Sequence, residues 1–280
     1  MAVQALTKRH IDDLVRDLVA GGTFTAKGRK RKPWSAAAVN KVIATVQQVL
    51  ADAVEQGLIS RNVAGGVDRV PVPYKAMDTY TAAEVRTLLT AASKDRNGHA
   101  WHLALAGLRR GEIAGLRWSD VNLEAGTLSI ATNRVMAGGR AVENEPKTET
   151  SRRTLPLSAP LKAALEAARV RQMKERLELG PDYGSGEAVV SNEAGEPYNP
   201  AVLSRYWREF AERAGVRALR LHDCRHTAAT TLHLQGVPVA VIAAWIGHSN
   251  AAFTMQVYAH SQNDALKDAA SVLGAVVTSV

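Results

Sequence analysis

The sequence predicts a mainly helical α+β fold in two domains, and three features of the chain support this prediction. Apolar residues recur at helical spacing through most segments, whereas only two short stretches, 127–130 and 153–157, have the pattern of strands. Pro71 and Pro73 interrupt the helical pattern, because proline disfavours the helical conformation in the residue before it. We therefore expect a small N-terminal helical domain and a larger helical domain with a small three-stranded antiparallel sheet.

The N-terminal domain is predicted to contain two helices within residues 1–73. Apolar residues at helical spacing begin at Ile11 and stop at the Gly21–Gly22 pair. Ser35 is a suitable N-cap for a longer helix, which has an apolar stripe and which Gly57 closes. Residues 74–79 are expected to form an extended linker to the second domain.

The second domain is expected to span residues 80–262. It opens at Thr81-Ala82-Ala83-Glu84, a capping box that predicts a helix to about Ala92. The two strands, with a Gly138–Gly139 turn between them, predict the sheet. Residues 263–280 are expected to form a C-terminal tail helix. The other predicted helical segments are 100–108, 110–116, 160–179, 200–214, 222–235, 238–246, 250–259 and, within the tail, 264–276.

Composition narrows the classes of protein that the chain can belong to. An apolar content of 46% excludes a disordered chain, and no apolar run approaches the roughly 18 to 20 residues of a membrane span. The first residues lack the layout of a secretory signal. The single cysteine, Cys224, excludes an internal disulfide framework and suits a reducing compartment. We expect a soluble intracellular protein that does not bind a membrane.

Positive charge is concentrated near the start of the chain. The formal net charge is +8, and residues 1–75 hold 12 Lys and Arg against 6 Asp and Glu. This imbalance favours a polyanionic partner. The basic run at 27–32 could be a solvated loop, a nuclear localisation patch or a phosphate-binding segment. If it binds DNA, the contacting residues are expected to be Lys27, Arg29, Lys30, Arg31 and Lys32.

The last quarter of the chain contains a series of residues suited to phosphodiester chemistry. His222-x-x-Arg225, Gly247-His248 and Tyr258 follow one another in that order. Arginine presents a planar fork of donors to two phosphate oxygens, and histidine moves protons near neutral pH. Tyrosine can act as a covalent nucleophile. The set therefore indicates attack of a phenolate on a phosphodiester, and no nucleotide-binding loop accompanies it.

Two earlier motifs extend this series. Arg109 and Arg110 lie where one predicted helix ends and the next begins, and the Arg-x-x-Glu spacing to Glu112 favours Arg109 as the functional arginine. Lys147 lies in the turn before the last predicted strand. A surface arginine and a solvated hairpin lysine are the alternatives for these positions.

A zinc site is a competing interpretation of the histidines. His222 and His226 are spaced four residues apart on one helical face, with Cys224 between them and His248 and His260 further along. Arg225 lies inside this cluster and would repel a cation. We therefore expect no metal ligands and no cofactor.

Taken in order, these motifs resemble the catalytic set of the tyrosine recombinases, or phage integrases. The resemblance covers residues 78–262, and residues 1–73 resemble more loosely the family's helical core-type DNA-binding domain. It implies a site-specific DNA recombinase that integrates or excises the genome of a phage or mobile element. Residues 1–10 are too few for the arm-binding module of many phage integrases, so we expect an arm-less integrase or a shortened chain.

The resemblance implies a role for each residue of the set. Arg109 and Arg225 would bind the scissile phosphate together with His248, and Glu112 would hold Arg109. Tyr258 would attack phosphorus to form a 3′-phosphotyrosyl link and release a 5′-hydroxyl. The proton donors and acceptors would be Lys147 as general acid for the leaving oxygen and His222 as the group that helps to deprotonate the nucleophile.

The resemblance also implies partners and a location. These are double-stranded DNA with core-type attachment sites, a homotetramer on two duplexes, and an accessory DNA-bending or directionality factor, in the cytoplasm of a bacterial host near its nucleoid. The tail at 263–280 would dock on a neighbouring protomer, or else pack on its own domain. Two alternatives stay open for the whole chain: a type IB topoisomerase-like enzyme that relaxes DNA, and a non-catalytic DNA-binding regulator.

Overall fold

The computed structural model describes residues 2–22, 28, 30–73, 77–144 and 152–247. The chain divides into two compact units, Met1–Lys75 and Ala76–Val280. The boundary lies within the linker expected at 74–79. Each unit has a hydrophobic core of its own.

The first unit is built on two helices, α1 (Lys8–Ala20) and α2 (Ala36–Glu55). The hydroxyl of Ser35 accepts a hydrogen bond from the N–H of Ala38 (3.3 Å), which is the predicted N-cap. The core lies between these helices and a short 3-10 turn, Val63–Gly66. Val49, on the apolar stripe of α2, is 58% exposed, because packing against α1 and this turn buries only part of the stripe.

The second unit is mainly helical. Its central helix packs against its neighbours around the buried rings of Trp101 and Trp207, whose centroids lie 5.5 Å apart. The helices of this unit are α3 (Ala82–Ala92), α4 (Gly98–Leu105), α5 (Arg110–Gly115), α6 (Ala159–Leu179), α7 (Pro200–Arg213), α8 (Asp223–Leu234) and α9 (Val239–Ile246). The central one is α4, which contacts α3, α5, α6 and α8 and, through the two tryptophan rings, α7.

Among the described residues of the second unit, five short strands form two small antiparallel sheets. They are β1 (Val121–Asn122), β2 (Thr127–Ile130), β3 (Asn133–Ala137), β4 (Arg140–Asn144) and β5 (Arg153–Pro156). The order in the three-stranded sheet is β1-β2-β5, and β3 and β4 form a separate hairpin. Gly138 and Gly139 join this hairpin with φ of 56° and 79°, the left-handed pair that a type I′ turn requires.

The predicted mainly helical fold with a small three-stranded sheet is confirmed. The third strand of that sheet is β1, which was not predicted, and the glycine turn belongs to the separate hairpin. The predicted helices at 250–259 and 264–276 lie outside the described residues. In the part of the chain that the structure describes, none of the helices combines the length and the apolar character needed to cross a membrane.

Candidate active site

Arg109 precedes the first residue of α5 and is held there by its own helix. Its backbone N–H donates to Oε2 of Glu112 (2.8 Å), and its Nη1 donates to Oε1 of the same carboxylate (2.8 Å). The neighbouring Arg110 instead extends toward Ser204, whose hydroxyl accepts from Nη1 at 3.1 Å. Of the two arginines, Arg109 is therefore the one that contacts Glu112.

Helix α5 lies unusually close to the hairpin strand β3. A Cβ placed on Gly111 would lie 1.9 Å from Oδ1 of Asn133 and 2.8 Å from the backbone oxygen of Arg134. Only glycine permits this approach, since real Cβ atoms do not come within 3 Å of a neighbouring backbone atom. The absence of a side chain at position 111 thus fixes the depth at which α5 presents Arg109.

Arg225 lies in the first turn of α8 and is almost completely buried, with 2% of its surface exposed. Its Nη1 donates to the carbonyl oxygen of Gly107 (2.9 Å). Gly107 has φ of 100°, a conformation that favours glycine, and lies two residues before Arg109. The two arginines of the predicted set are therefore brought to one segment of the chain.

His222 immediately precedes α8 and is exposed, and its ring meets that of His226 edge to face with centroids 5.0 Å apart. Desolvation, and then the positive charge of Arg225, lower the pKa of His222 below its ordinary value. Desolvation, and then His222, lower the pKa of His226 in the same direction. Both rings are thus kept neutral at pH 7, and a neutral imidazole can accept a proton.

Glu112 forms the centre of a buried charge cluster. Its side chain is 5% exposed, and it pairs with Arg109 and also with Arg153, whose Nη1 and Nη2 donate to Oε1 (3.1 Å) and Oε2 (3.0 Å). Burial alone would raise the pKa of Glu112, but the hydrogen bonds and charge of Arg153, followed by the hydrogen bonds of Arg109, lower it below the ordinary value. Glu112 is therefore ionised and balances the positive charge of the two arginines.

Arg153 was not among the predicted site residues. It lies in β5, and its side chain is 8% exposed. The sequence contained one signal: Arg153 and the buried Leu155 are two residues apart in a strand, so their side chains point to the same face. A charged residue at an inward-facing strand position indicates a buried partner.

The end of α9 is attached to this cluster. The carbonyl oxygen of Trp245 accepts from Nε of Arg153 (2.8 Å), and that of Gly247 accepts from Nη2 of Arg109 (2.5 Å). Gly247 ends the helix in the left-handed conformation, with φ of 62°. The residue that follows is His248, so the described chain stops one residue short of the next predicted member of the set.

A groove with a volume of about 750 Å³ opens beside these residues. Asn133, Ser204 and the exposed apolar residue Met136 are among its lining residues, and none of the residues that line it is acidic. The basic and titratable lining residues are Arg109, Arg110, Arg134, Arg208, Arg220 and His222. Three of these six residues, Arg109, Arg134 and Arg220, form ion pairs with carboxylates that do not line the groove. The groove is therefore electrostatically suited to an anionic ligand.

Several predicted residues lie outside the described part of the chain: Lys27, Arg29, Lys147, His248 and Tyr258. Three residues of the basic run, Lys30, Arg31 and Lys32, are described and are exposed in the first unit. The described residues contain no group of three or more side chains that could hold a metal ion. Cys224, from the zinc interpretation, is fully buried, and this burial raises the pKa of its thiol.

Comparison with known proteins gives a consistent result. A sequence model of the phage integrase family matches residues 79–264. A tyrosine recombinase XerC-like protein of Caldanaerobacter subterraneus subsp. tengcongensis is 29% identical over 228 residues, which cover 74% of this chain and 58% of that protein. The ICEBs1 integrase of Bacillus subtilis is 25% identical over 274 residues, which cover 97% and 71%. The chain thus spans little more than half the length of the first relative.

Solved structures show the same fold. A Tn1549 transposon integrase in complex with a circular intermediate DNA matches with a TM-score of 0.76 at 18% identity, covering 97% of this chain and 86% of that chain. A lambda integrase dimer bound to a COC′ core site matches with a TM-score of 0.62 at 18% identity, covering 92% and 81%. The family resemblance predicted from the motifs is confirmed.

Proposed function

The chain belongs to the phage integrase family, and from this we propose that it is a site-specific DNA recombinase that cleaves and rejoins DNA through a 3′-phosphotyrosyl intermediate. One observation carries the proposal. Arg225 binds the carbonyl of Gly107, two residues before Arg109, and Arg109 lines the basic groove. Two arginines attached to one short segment of the chain in this way suit the recognition of a single phosphodiester.

In this proposal the two arginines bind the non-bridging oxygens of the scissile phosphate. Their charge stabilises the negative charge that develops in the pentavalent transition state. Arg225 is buried and fixed by Gly107, and Arg109 is fixed by Glu112, so little reorganisation is needed when the phosphate arrives. His248 adds a hydrogen bond to the same phosphate.

Tyr258 is the proposed nucleophile. Its phenolate attacks phosphorus, the 5′-oxygen leaves, and Lys147 protonates that oxygen. His222 helps to remove the proton of Tyr258, and the lowered pKa of His222 supports this role because the ring is neutral at pH 7. One phosphate ester replaces another, so the reaction is close to thermoneutral, needs no nucleotide and can reverse.

Double-stranded DNA with core-type attachment sites is the proposed substrate. The groove of the second unit, which has no acidic residue in its lining, and the overall charge of +8 support a polyanionic ligand. In the first unit the exposed residues Lys30, Arg31 and Lys32, with Lys27 and Arg29, are proposed to contact phosphates rather than bases. The choice of DNA as the substrate is further supported by two solved structures of the same fold, which are integrases in complex with DNA.

Strand exchange requires four such sites on two duplexes, and we propose a homotetramer on DNA. Residues 1–73 would form the core-type DNA-binding domain and 80–262 the catalytic domain, joined by 74–79. The tail at 263–280 would dock on a neighbouring protomer. An accessory DNA-bending or directionality factor would bias the reaction toward integration or excision, in the cytoplasm of a bacterial host.

A plasmid recombination assay tests this proposal against its two alternatives. The binding site is first selected from random duplexes, and a supercoiled plasmid with two direct copies of it is then incubated with the protein. A recombinase yields the deletion product, and Tyr258→Phe binds the same site but yields none. Relaxation without deletion would indicate a topoisomerase, and binding with neither outcome would indicate a regulator.

A further inference from the structure

We propose that Arg153 is a positioning residue, which fixes the end of α9, immediately before His248, against the segment that carries Arg109. The inference rests on the proposed function and deepens the account of the same site. Arg153 lies in a strand and is buried, so it acts through its neighbours rather than on DNA.

The first observation is that Arg153 and Arg109 share one carboxylate. Oε1 of Glu112 accepts from Nη1 of both arginines, and Oε2 accepts from the backbone N–H of Arg109 and from Nη2 of Arg153. The two charges on Arg153 and Arg109 are therefore held side by side by a buried anion between them. Glu112 thus holds both guanidinium groups at one place.

The second observation is that Arg153 also reaches α9. Its Nε donates to the carbonyl oxygen of Trp245 (2.8 Å), one of the last carbonyls of the helix, where the helix dipole favours a cation. A Cβ on Gly247 would lie 2.7 Å from Nη1 of Arg153, so the guanidinium lies directly against the residue before His248. Together with the bond from Arg109 to the Gly247 carbonyl, this fixes the position of Gly247 at the end of α9.

The third observation is that Arg153 is rigidly anchored itself. It pairs with Ile130 at one end of the β2–β5 ladder, so its backbone is fixed by the sheet. It follows Lys147 by six residues along the chain. From one strand, Arg153 thus contacts both Glu112, which holds Arg109, and the end of α9 before His248.

These contacts depend on the shape of the guanidinium and not only on its charge. Nη1 and Nη2 bind Glu112 while Nε, in the same plane, binds the helix carbonyl. The single ammonium of a lysine cannot contact both elements with this geometry. Arg153→Lys therefore keeps the charge and removes the link between α5 and α9.

The test measures the rate at which protein becomes covalently attached to DNA in a single turnover, on a nicked duplex carrying the selected site. We expect Arg153→Lys to lower this rate about 100-fold, as a displacement of about 1 Å can do, with little change in the Kd for the duplex. Arg96→Lys is the matched control. Arg96 binds Glu175 with two donors in a partly buried pair away from the site, so its replacement should reduce stability and leave the rate unchanged.

Measuring the same substitution in a His248→Ala protein separates a positioning effect from a general loss of stability. If Arg153 acts through His248, the two changes are not additive, and Arg153→Lys should cause little further loss in a His248→Ala protein. Equal slowing in both backgrounds would overturn the inference, as would a wild-type rate for Arg153→Lys or equal slowing by Arg96→Lys. Absence of any adduct with the wild-type protein would instead overturn the proposed function, and this inference with it.

Gly247→Ala examines the same contact if Arg153→Lys does not fold. It retains every charge and pushes a methyl group toward Nη1 of Arg153. We expect the same slowing, again lost in the His248→Ala background. A Gly247→Ala protein that binds the duplex and reacts at the wild-type rate would overturn the inference.

Discussion

Single buried charges determine the geometry of the candidate site. The contact between Arg109 and Glu112 was predictable, because residues three positions apart at the start of a helix are neighbours in space. The contact between Glu112 and Arg153 spans 41 positions and depends on how β5 packs, which no local pattern specifies. The contact between Arg109 and Glu112 could therefore be predicted from the sequence, whereas the contact between Glu112 and Arg153 could not.

His99 shows the same effect of burial away from the site. Its side chain is buried, and its Nε2 lies 3.0 Å from the carbonyl oxygen of Val189, so Nε2 must carry the proton. Burial, and then the positive charge of Arg171, lower the pKa of His99 from 6.5 to about 3. Between pH 6.5 and about pH 3, His99 therefore stays neutral in the folded protein but is protonated in the unfolded chain.

We predict that His99 makes the second unit less stable in acid. Its pKa is lower in the folded state, so the stability is fully present above pH 6.5 and is lost as the pH falls toward 3. The loss from this group between pH 7 and pH 4.5 should be about 2 to 3 kcal/mol. His99→Gln should remove that part of the pH dependence. Urea unfolding followed by the fluorescence of Trp101 and Trp207 measures it.

Ile130→Val, which removes a buried methyl group and no titratable group, is the control and should leave the difference between the two pH values unchanged. The same pH dependence in wild-type protein and His99→Gln would show that His99 does not contribute.

Helix ends were the best predicted elements where side chains mark them. Helix α3 occupies Ala82–Ala92, as the capping box indicated. Helix α4 ends at Leu105 and not at the predicted position 108. The helix ends early because of a tertiary contact: Gly107 adopts φ of 100°, and its carbonyl accepts a hydrogen bond from Arg225, 118 positions along the chain. Likewise, β1 has two residues, too few for an alternating pattern to be recognised.

We predict that the capping box stabilises α3 by an amount typical of N-caps. The hydroxyl of Thr81 accepts from the N–H of Glu84 (3.2 Å), and the N–H of Thr81 donates to the Glu84 carboxylate (2.7 Å). Thr81→Ala removes the first bond and should lower the free energy of unfolding by about 1 kcal/mol. Thermal or urea unfolding measures this change.

Thr87→Ala provides a comparison within the same helix. The hydroxyl of Thr87 only bonds back to the carbonyl of Ala83, so its removal should change stability by less than about 0.5 kcal/mol. Equal effects of the two substitutions would contradict the assignment of the cap.

Charge is the property that the whole sequence predicts most directly. The net charge of +8, with +6 of it in residues 1–75, indicated a polyanionic partner before any fold was known. The basic groove could not be predicted from the net charge, because Arg134, Arg208 and Arg220 come from three separate segments of the chain. The fold brings them beside Arg109, and the proposed function rests on that convergence.

The central claim is that Tyr258 forms a covalent bond with DNA, and covalent trapping tests it most directly. The protein is incubated with host and element DNA fragments carrying nicks that let the 5′ product escape, and is then denatured and digested. We predict a 3′-phosphate adduct on the peptide containing Tyr258 and none with Tyr258→Phe. Site-specific binding without an adduct, or an adduct on another residue, would contradict the account.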